Sequence, residues 1–404
     1  QKYGLIVKSS SYDINNIVAR SRNSAATLSK GISFLLKKNN ISFVKGKAQL
    51  TSFNKIDVII KNKEKIEISA SNIIIATGAR PKKFLGFEYG KNKNIWNYKD
   101  AMTVNKIPKS LIIIGSGAIG IEFASFFSSL GTKVKVIEAM DNILPNEDHE
   151  ISEMLEKILS KKEVMFFKSS KVKDIITSKK SIKVKFDCLS SEQFEEAENV
   201  LIAVGIKGNT EDLGIEKLGI SIKNDHILTD NFGYTGIKNI YAIGDVSGPP
   251  WLAHKASHEG VRCVEKIFEV SQFKGENSLK FKENIPSCVY SNPQIASVGL
   301  TEKQAKKNGY DIKIGKFPFK GNGKAITLGE EEGIVKTIFN SKNGELLGAH
   351  LIGVDVTELI HGFVLAINLE ATELDLINSI FPHPTLSEMI HESVLNAYER
   401  SIHI

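Results

Sequence analysis

A glycine-interrupted junction between an apolar run and a helical stretch restricts the folds open to this chain more than any other feature. Leu111 to Ile114 is continuously apolar, the pattern of a strand buried on both faces of a parallel sheet. Gly115, Gly117 and Gly120 follow as GxGxxG. The first permits a tight turn, the second lets backbone approach a pyrophosphate, and the third allows close packing of helix on strand. Ile121 to Leu130 is apolar on most faces, as a helix against a sheet should be, and Gly131 stands as its C-terminal cap. Lys133 to Ile137 is a second buried strand ending at Glu138, 18 positions beyond Gly120. A pyrophosphate on the helix N-terminus meets unpaired N–H groups and the positive end of the macrodipole without any basic side chain. A carboxylate at Glu138 accepts from ribose hydroxyls and repels a 2′-phosphate, so the unit reads as a seat for NAD rather than NADP.

The chain has 404 residues, room for two or three domains. Its net charge of +7 is spread among interleaved Lys, Arg, Asp and Glu. No basic run interleaved with aromatics is present, so nucleic-acid binding is not expected. Cys188, Cys263 and Cys288 are too few and too far apart for a disulfide framework or a zinc site. They fit a reducing compartment, a bacterial cytoplasm or an organelle matrix. No apolar run reaches membrane-span length, and QKYGLIVKSSSYD lacks a signal-peptide apolar region.

Taken in order, residues 12–39 read as an amphipathic helix and Ile41 to Val44 as a short strand. Lys55 to Lys61 and Lys65 to Ser69 alternate, which predicts a hairpin or meander. NIIIATGAR, Asn72 to Arg80, is a strand ending in small residues where backbone can approach a ligand. Trp96 to Pro108 reads as a polar linker. Beyond the βαβ unit, Pro145 to Lys162 is helical and strands follow at 164–168, 170–177, 181–188 and 199–204. NIYAIGD places Asp245 at a strand tip, ahead of the helix opened by PPWLAHKASHEG. Such an acid serves equally as an N-cap or as a grip on a hydroxylated ligand.

After Lys282 strands recur between turns, with hairpin chemistry at Gly321 to Gly323 and Ser341 to Gly344, and two helices close the chain. This is an α+β layout. In FPHPTLSEMI, Thr385 reads as an N-cap with Glu388 as its capping-box partner. His383, held between two prolines near that carboxylate, suits a general acid/base equally well.

Five blocks, IIIATGARP, IIIGSGAIGIEF with VIEAMDNILPNED, NIYAIGDVSGPPWLAHKASHEG, VYSNPQIASVGLTE and HPTLSE, together resemble the pyridine-nucleotide disulfide oxidoreductases. The likeness is nearest to the branch that oxidises dihydrolipoamide for the 2-oxo acid dehydrogenase complexes. It implies Rossmann-like FAD and NAD domains, the FAD domain incomplete, followed by an α+β dimerisation domain. The expected division is 1–107, remainder of the FAD domain; 108–236, NAD domain; 237–282, returning FAD segment; and 283–404, dimerisation domain. NAD is then held by Gly115, Gly117, Ala118, Ile119, Gly120, Glu122 and Glu138, with Val172 and Gly205 toward the nicotinamide. FAD is held by Ala48, by Thr77, Gly78 and Ala79, by Asp245, and by Trp251, Leu252, Ala253 and His254. His383 is the implied base for the thiol and Glu388 its orienting acid. A homodimer is implied, with lipoyl domains as partners.

The family opens with an FAD-binding GxGxxG and a CxxxxC redox pair, and residues 1–404 carry neither. The chain is therefore expected to begin inside the FAD domain. Two alternatives follow from that reading: a glutathione-type disulfide reductase, or an inactive NAD-binding product. Ile206 to Thr210 also departs from the family's loop, and Phe381 replaces a histidine common among relatives.

Overall fold

The computed structural model describes residues 4, 6–61, 63–87, 89–178, 181–189, 191–270 and 284–404. Helix α1 (Ile14–Lys38) starts at Asp13, whose carboxylate accepts from the Asn15 N–H. An antiparallel meander follows, β1 (Gly46–Ser52), β2 (Lys55–Ile60) and β3 (Lys65–Ser69). The strand expected at Ile41 to Val44 is not formed. That segment is exposed and pairs with no strand among the described residues, because the ladder begins where Gly46 meets Ile60. Two short strands complete this part, β4 (Ile73–Ile75) and β5 (Ala79–Pro81).

The GxGxxG unit occupies the centre of the next layer. Its elements are β6 (Ile95–Trp96), α2 (Tyr98–Ala101), β7 (Ser110–Ile114), α3 (Ala118–Ser129), β8 (Lys133–Ile137), α4 (His149–Lys161) and β9 (Met165–Phe167). An antiparallel sheet, β10 (Ser170–Thr177), β11 (Ile182–Cys188) and β12 (Ser191–Ala197), precedes β13 (Asn199–Ile202). The parallel sheet runs β6-β13-β7-β8-β9. Alternate residues of β7 face opposite layers: Leu111 and Ile113 pack with Ile121, Ala124 and Phe127 of α3, while Ile112 and Ile114 pack with Val172, Val184 and Phe186. The linker expected from Trp96 to Pro108 instead begins in the edge strand of this sheet and continues through α2 before running on as a connection to β7. Trp96 is buried 6.0 Å from the Phe127 ring, and Asn97 with Asp100 forms a capping box that starts α2.

The chain then returns through β14 (Ile206–Gly208), paired to β5, and the hairpin β15 (Ile222–Lys223) and β16 (His226–Ile227). Strand β17 (Ile240–Ala242) lies parallel to β4, and α5 (Ala253–Ile267) follows. Leu50, Ile73, Ile75, Ile215, Ile227, Ile240 and Val246 share one core. Residues 206–208 pair with β5, Ile215, Ile220 and Ile227 share the core of the first part of the chain, and β6 pairs with the dinucleotide sheet. The division at 282 lies outside the described residues.

The last domain holds β18 (Ser287–Val289), β19 (Gln294–Gly299), α6 (Glu302–Lys307), β20 (Ile312–Pro318) and α7 (Gly323–Leu328). It continues with β21 (Ile334–Asn340), β22 (Leu346–Gly353), α8 (Val356–Asn368), α9 (Glu373–Ile377) and α10 (Glu388–Ala397). Its antiparallel sheet has the order β18-β19-β22-β21-β20. The loop at Ser341 to Gly344 joins β21 and β22 as a hairpin, but Gly321 to Gly323 does not make one. There the Asn322 side chain accepts from the Ala325 N–H at 2.9 Å and starts α7, which ends at Gly329 in a left-handed cap.

Candidate active site

At the C-terminal tips of β7, β8 and β13 lies a cleft of about 2000 Å³. Gly115 turns the chain with φ +97°, and a Cβ there would meet the Ala203 carbonyl oxygen at 2.6 Å. A Cβ on Gly120 would overlap the Gly115 carbonyl, whereas Gly117 faces open space. Gly117 is the N-cap of α3 and supplies no side-chain cap, so the first-turn N–H groups keep their donors for a ligand. Glu138, nearly buried, accepts from Ser116 N–H and Ser116 Oγ–H, each at 2.7 Å, and from Met140 N–H at 2.8 Å. An ionised carboxylate offers about four acceptor sites, so one remains for a ribose hydroxyl. These residues fit a dinucleotide. Gly120→Ala is expected to abolish measurable NADH binding, because the methyl displaces the turn that presents Gly117. Isothermal titration against the wild-type chain checks this.

Gly115, Gly117, Ala118, Ile119, Glu138, Val172, Gly205, Trp251 and Leu252 all line that cleft. Gly120 lies beneath it as packing. Glu122 is turned away: its Oε1 accepts from the Tyr290 N–H at 2.9 Å across the seam to the last domain. Burial raises the Glu122 carboxyl pKa, and that hydrogen bond only partly offsets it.

Of the residues read as flavin contacts, Trp251 and Leu252 line this same cleft, and Thr77, Gly78, Ala79 and Asp245 lie outside its lining. Thr77 and Asn209 exchange two hydrogen bonds, Thr77 Oγ1–H to Asn209 O at 2.7 Å and Asn209 Nδ2–H to Thr77 O at 2.9 Å. The loop that departs from the family pattern is therefore anchored here, with Arg80 also donating to Asn209 Oδ1 at 2.8 Å. Gly78 has φ +68° beside open space, and Ala79 starts β5. Asp245 sits in a 3₁₀ turn, Gly244–Ser247, and among the described residues nothing donates to its carboxylate. A buried pair missed by sequence reading holds that turn. Lys255 Nζ donates to Gly244 O, Ser247 Oγ and Gly248 O, while Glu259, 3.1 Å from the ammonium, accepts from Gly244 N–H. Its signal was a Lys and a Glu four apart on one helix face. Open backbone at Gly78 and an unmet acceptor at Asp245 fit a polyhydroxylated, phosphate-bearing cofactor. Ala48 is exposed on β1, Ala253 opens α5, and His254 Nε2 lies 2.8 Å from Pro286 O.

His383 is 78% exposed and does not line the cleft of its own chain. Its Nδ1 lies 2.9 Å from Glu388 Oε1, and Glu388 Oε2 accepts from the Thr385 N–H at 2.9 Å. Only half of the expected capping box forms, because the Thr385 hydroxyl donates back to Pro382 O at 2.7 Å and the N-cap of α10 is Ser387. Burial pushes the Glu388 carboxyl up. The Thr385 N–H and His383 outweigh that and hold it below its usual value. With Nδ1–H directed at a carboxylate, Nε2 is the ring's outward acceptor.

A doubly covered parallel sheet with a dinucleotide turn, a second cofactor edge, and a separate domain bearing an exposed His–Glu pair define a dinucleotide-dependent oxidoreductase. Residues 6–260 match the pyridine nucleotide-disulphide oxidoreductase family and residues 285–394 its dimerisation domain. The chain belongs to this family. It is 47% identical to the dihydrolipoyl dehydrogenase of Rhizobium etli over 98% of this chain and 85% of that protein. It is 36% identical to that of Bacillus subtilis, over 100% and 86%, and 34% identical to the mitochondrial dihydrolipoyl dehydrogenase 1 of Arabidopsis thaliana, over 100% and 78%. Among solved structures, the HOCl-induced flavoprotein disulfide reductase RclA of Escherichia coli superposes with a TM-score of 0.84 at 26% identity, covering 95% of this chain and 86% of that one.

Proposed function

We propose that this chain is an FAD- and NAD-dependent oxidoreductase that converts dihydrolipoamide, carried on the lipoyl domains of 2-oxo acid dehydrogenase complexes, to lipoamide. The observation that carries the reading is the His383–Glu388 hydrogen bond at 2.9 Å on an exposed face of the dimerisation domain. A dithiol substrate has a pKa above neutrality and needs a base to become a nucleophile. His383 Nε2 takes the thiol proton while Glu388 stabilises the imidazolium that forms. The thiolate then attacks a disulfide sulfur, the substrate closes to its own disulfide, and two electrons are left on an enzyme dithiol. Cys188, Cys263 and Cys288 are all free and lie on different elements, so none of them forms that disulfide within the chain. Bound FAD supplies the two-electron relay between dithiol and nicotinamide. Thr77, Gly78, Ala79 and Asp245 would hold it, and Gly115 to Gly120 with Glu138 would hold NAD.

His383 points out of its own subunit, and Ile380 and Leu369 near it in sequence are 97% and 78% exposed. A second copy covering this face brings the base to the cofactors of the neighbouring subunit. Among the described residues no helix is long and apolar enough to cross a membrane, which accords with a bacterial cytoplasm or an organelle matrix. In flavin-loaded protein supplied with the redox disulfide that residues 1–404 lack, the test compares NAD⁺-dependent oxidation of dihydrolipoamide with NADPH-dependent reduction of glutathione disulfide. Activity with the first pair alone is expected. Activity with the second alone would transfer the chain to the glutathione-type branch and contradict the role of Glu138.

A further inference from the structure

Ser116 stands between the first two glycines of the turn, yet it takes no part in the cleft. It is fully buried, and the lining passes from Gly115 to Gly117 without it. Three hydrogen bonds tie the residue to the loop that follows β8. Its N–H and its Oγ–H each donate to Glu138 Oε2 at 2.7 Å, and its carbonyl accepts from the Leu144 N–H at 3.0 Å. The main chain of Glu138 is held from elsewhere: its N–H donates to Phe167 O and its carbonyl accepts from the Ser170 N–H, each at 2.8 Å. What the serine hydroxyl adds is therefore control of the carboxylate rather than of the strand that carries it.

The two oxygens of that carboxylate are unequal as a result. Oε2 takes both Ser116 donors, while Oε1 takes only the Met140 N–H at 2.8 Å. Each oxygen of an ionised carboxylate offers about two acceptor sites, so Oε2 is filled and the remaining site is on Oε1. Oε1 is thus the atom left to read a ribose hydroxyl. A 2′-phosphate in that place brings its own charge against a carboxylate that three donors keep from turning aside.

We propose that Ser116 is a positioning residue of the dinucleotide site, its hydroxyl fixing the orientation of the Glu138 carboxylate and with it the preference for a free ribose 2′-hydroxyl over a 2′-phosphate. The proposal rests on the dinucleotide reading above. A hydrogen bond to a charged acceptor is among the stronger ones, and a carboxylate that loses one of three donors is no longer held to a single orientation. Without the hydroxyl, the ribose loses an oriented acceptor, and the phosphate meets a carboxylate that can rotate away.

The full chain is titrated with NADH and with NADPH by calorimetry. Ser116→Ala removes one oxygen and adds no bulk. It is expected to weaken NADH about fivefold and leave NADPH within about twofold of wild type, so the preference between the two falls. Positioning has a second signature, because a residue that acts through another does nothing once that other is gone. Added to Glu138→Ala, the Ser116→Ala change should alter NADH affinity by less than about twofold. Equal losses for NADH and NADPH, unchanged NADH affinity in Ser116→Ala, or the same loss repeated in the Glu138→Ala background would overturn the proposal and leave the dinucleotide site standing. Wild-type protein that binds neither dinucleotide would overturn the dinucleotide reading, and the proposal with it.

Discussion

His383→Ala in the flavin-loaded dimer bearing its redox disulfide is expected to lower dihydrolipoamide oxidation by about 10²–10⁴-fold, while NADH-to-dye electron transfer stays near wild type. The split follows from position. His383 lies outside the cleft that Gly115 and Glu138 line, so the half-reaction between nicotinamide and flavin does not touch it. Thiol deprotonation has no other base within hydrogen-bond reach of the Glu388 carboxylate among the described residues. Glu388→Ala should cost about 10²-fold by the same assay, since the imidazole loses the partner that fixes its rotation and tautomer. Joint loss of thiol oxidation and dye reduction in His383→Ala would show that the residue supports the fold or the flavin, and would remove it from the proton transfer.

The parts of this site that sequence alone made legible are those fixed by backbone geometry. The apolar run at Leu111, the three glycines and Glu138 each follow from what a strand, a tight turn and a helix N-terminus require, and each occupies its expected element. Side-chain partners were much less legible. Thr385 and Glu388 have capping-box spacing, but the hydroxyl found Pro382 O closer at hand, which left one carboxylate oxygen for the Thr385 N–H and the other for His383. Trp96 and Asn97 read as linker because two residues carry no period, and their burial depends on a pairing with β13 about a hundred positions later. The Gly321 to Gly323 stretch has hairpin composition, and Asn322 decides between turn and helix by its local capping bond. The charged seam between the dinucleotide domain and the last domain gave no signal at all, since its members are scattered from Asp148 to Lys336.

Lys336→Met at that seam is expected to destabilise the protein by about 3–5 kcal/mol, read as a lowered midpoint in chemical denaturation. The Lys336 and Asp148 side chains are each only 2% exposed, with Nζ 2.8 Å from Asp148 Oδ1, 2.8 Å from Glu302 Oε2 and 3.2 Å from Glu150 Oε2. Asp148 also caps α4 through Glu150 N–H at 3.2 Å, and Glu302 opens α6, so one ammonium joins helices of two domains to β21. Removing it leaves Asp148 buried without its counter-ion, and the methionine's apolar contacts do not replace that attraction. The pH dependence has a definite sign. Burial pushes the Glu302 carboxyl up, but hydrogen bonds from Lys306 and Lys336 prevail and bring it from 4.5 to about 2. Asp148 is likewise held below its ordinary value, with burial opposed by Lys336. A depressed carboxyl contributes stability that is complete above its unfolded pKa and is lost as the pH falls through the folded one. The wild type should therefore lose stability between about pH 4.5 and 2. In Lys336→Met, which lacks the cation that depresses these groups, the acid loss over the same window should be shallower. Denaturation midpoints that fall in parallel for the two proteins over that window would show that the seam does not hold the domains together through this charge cluster.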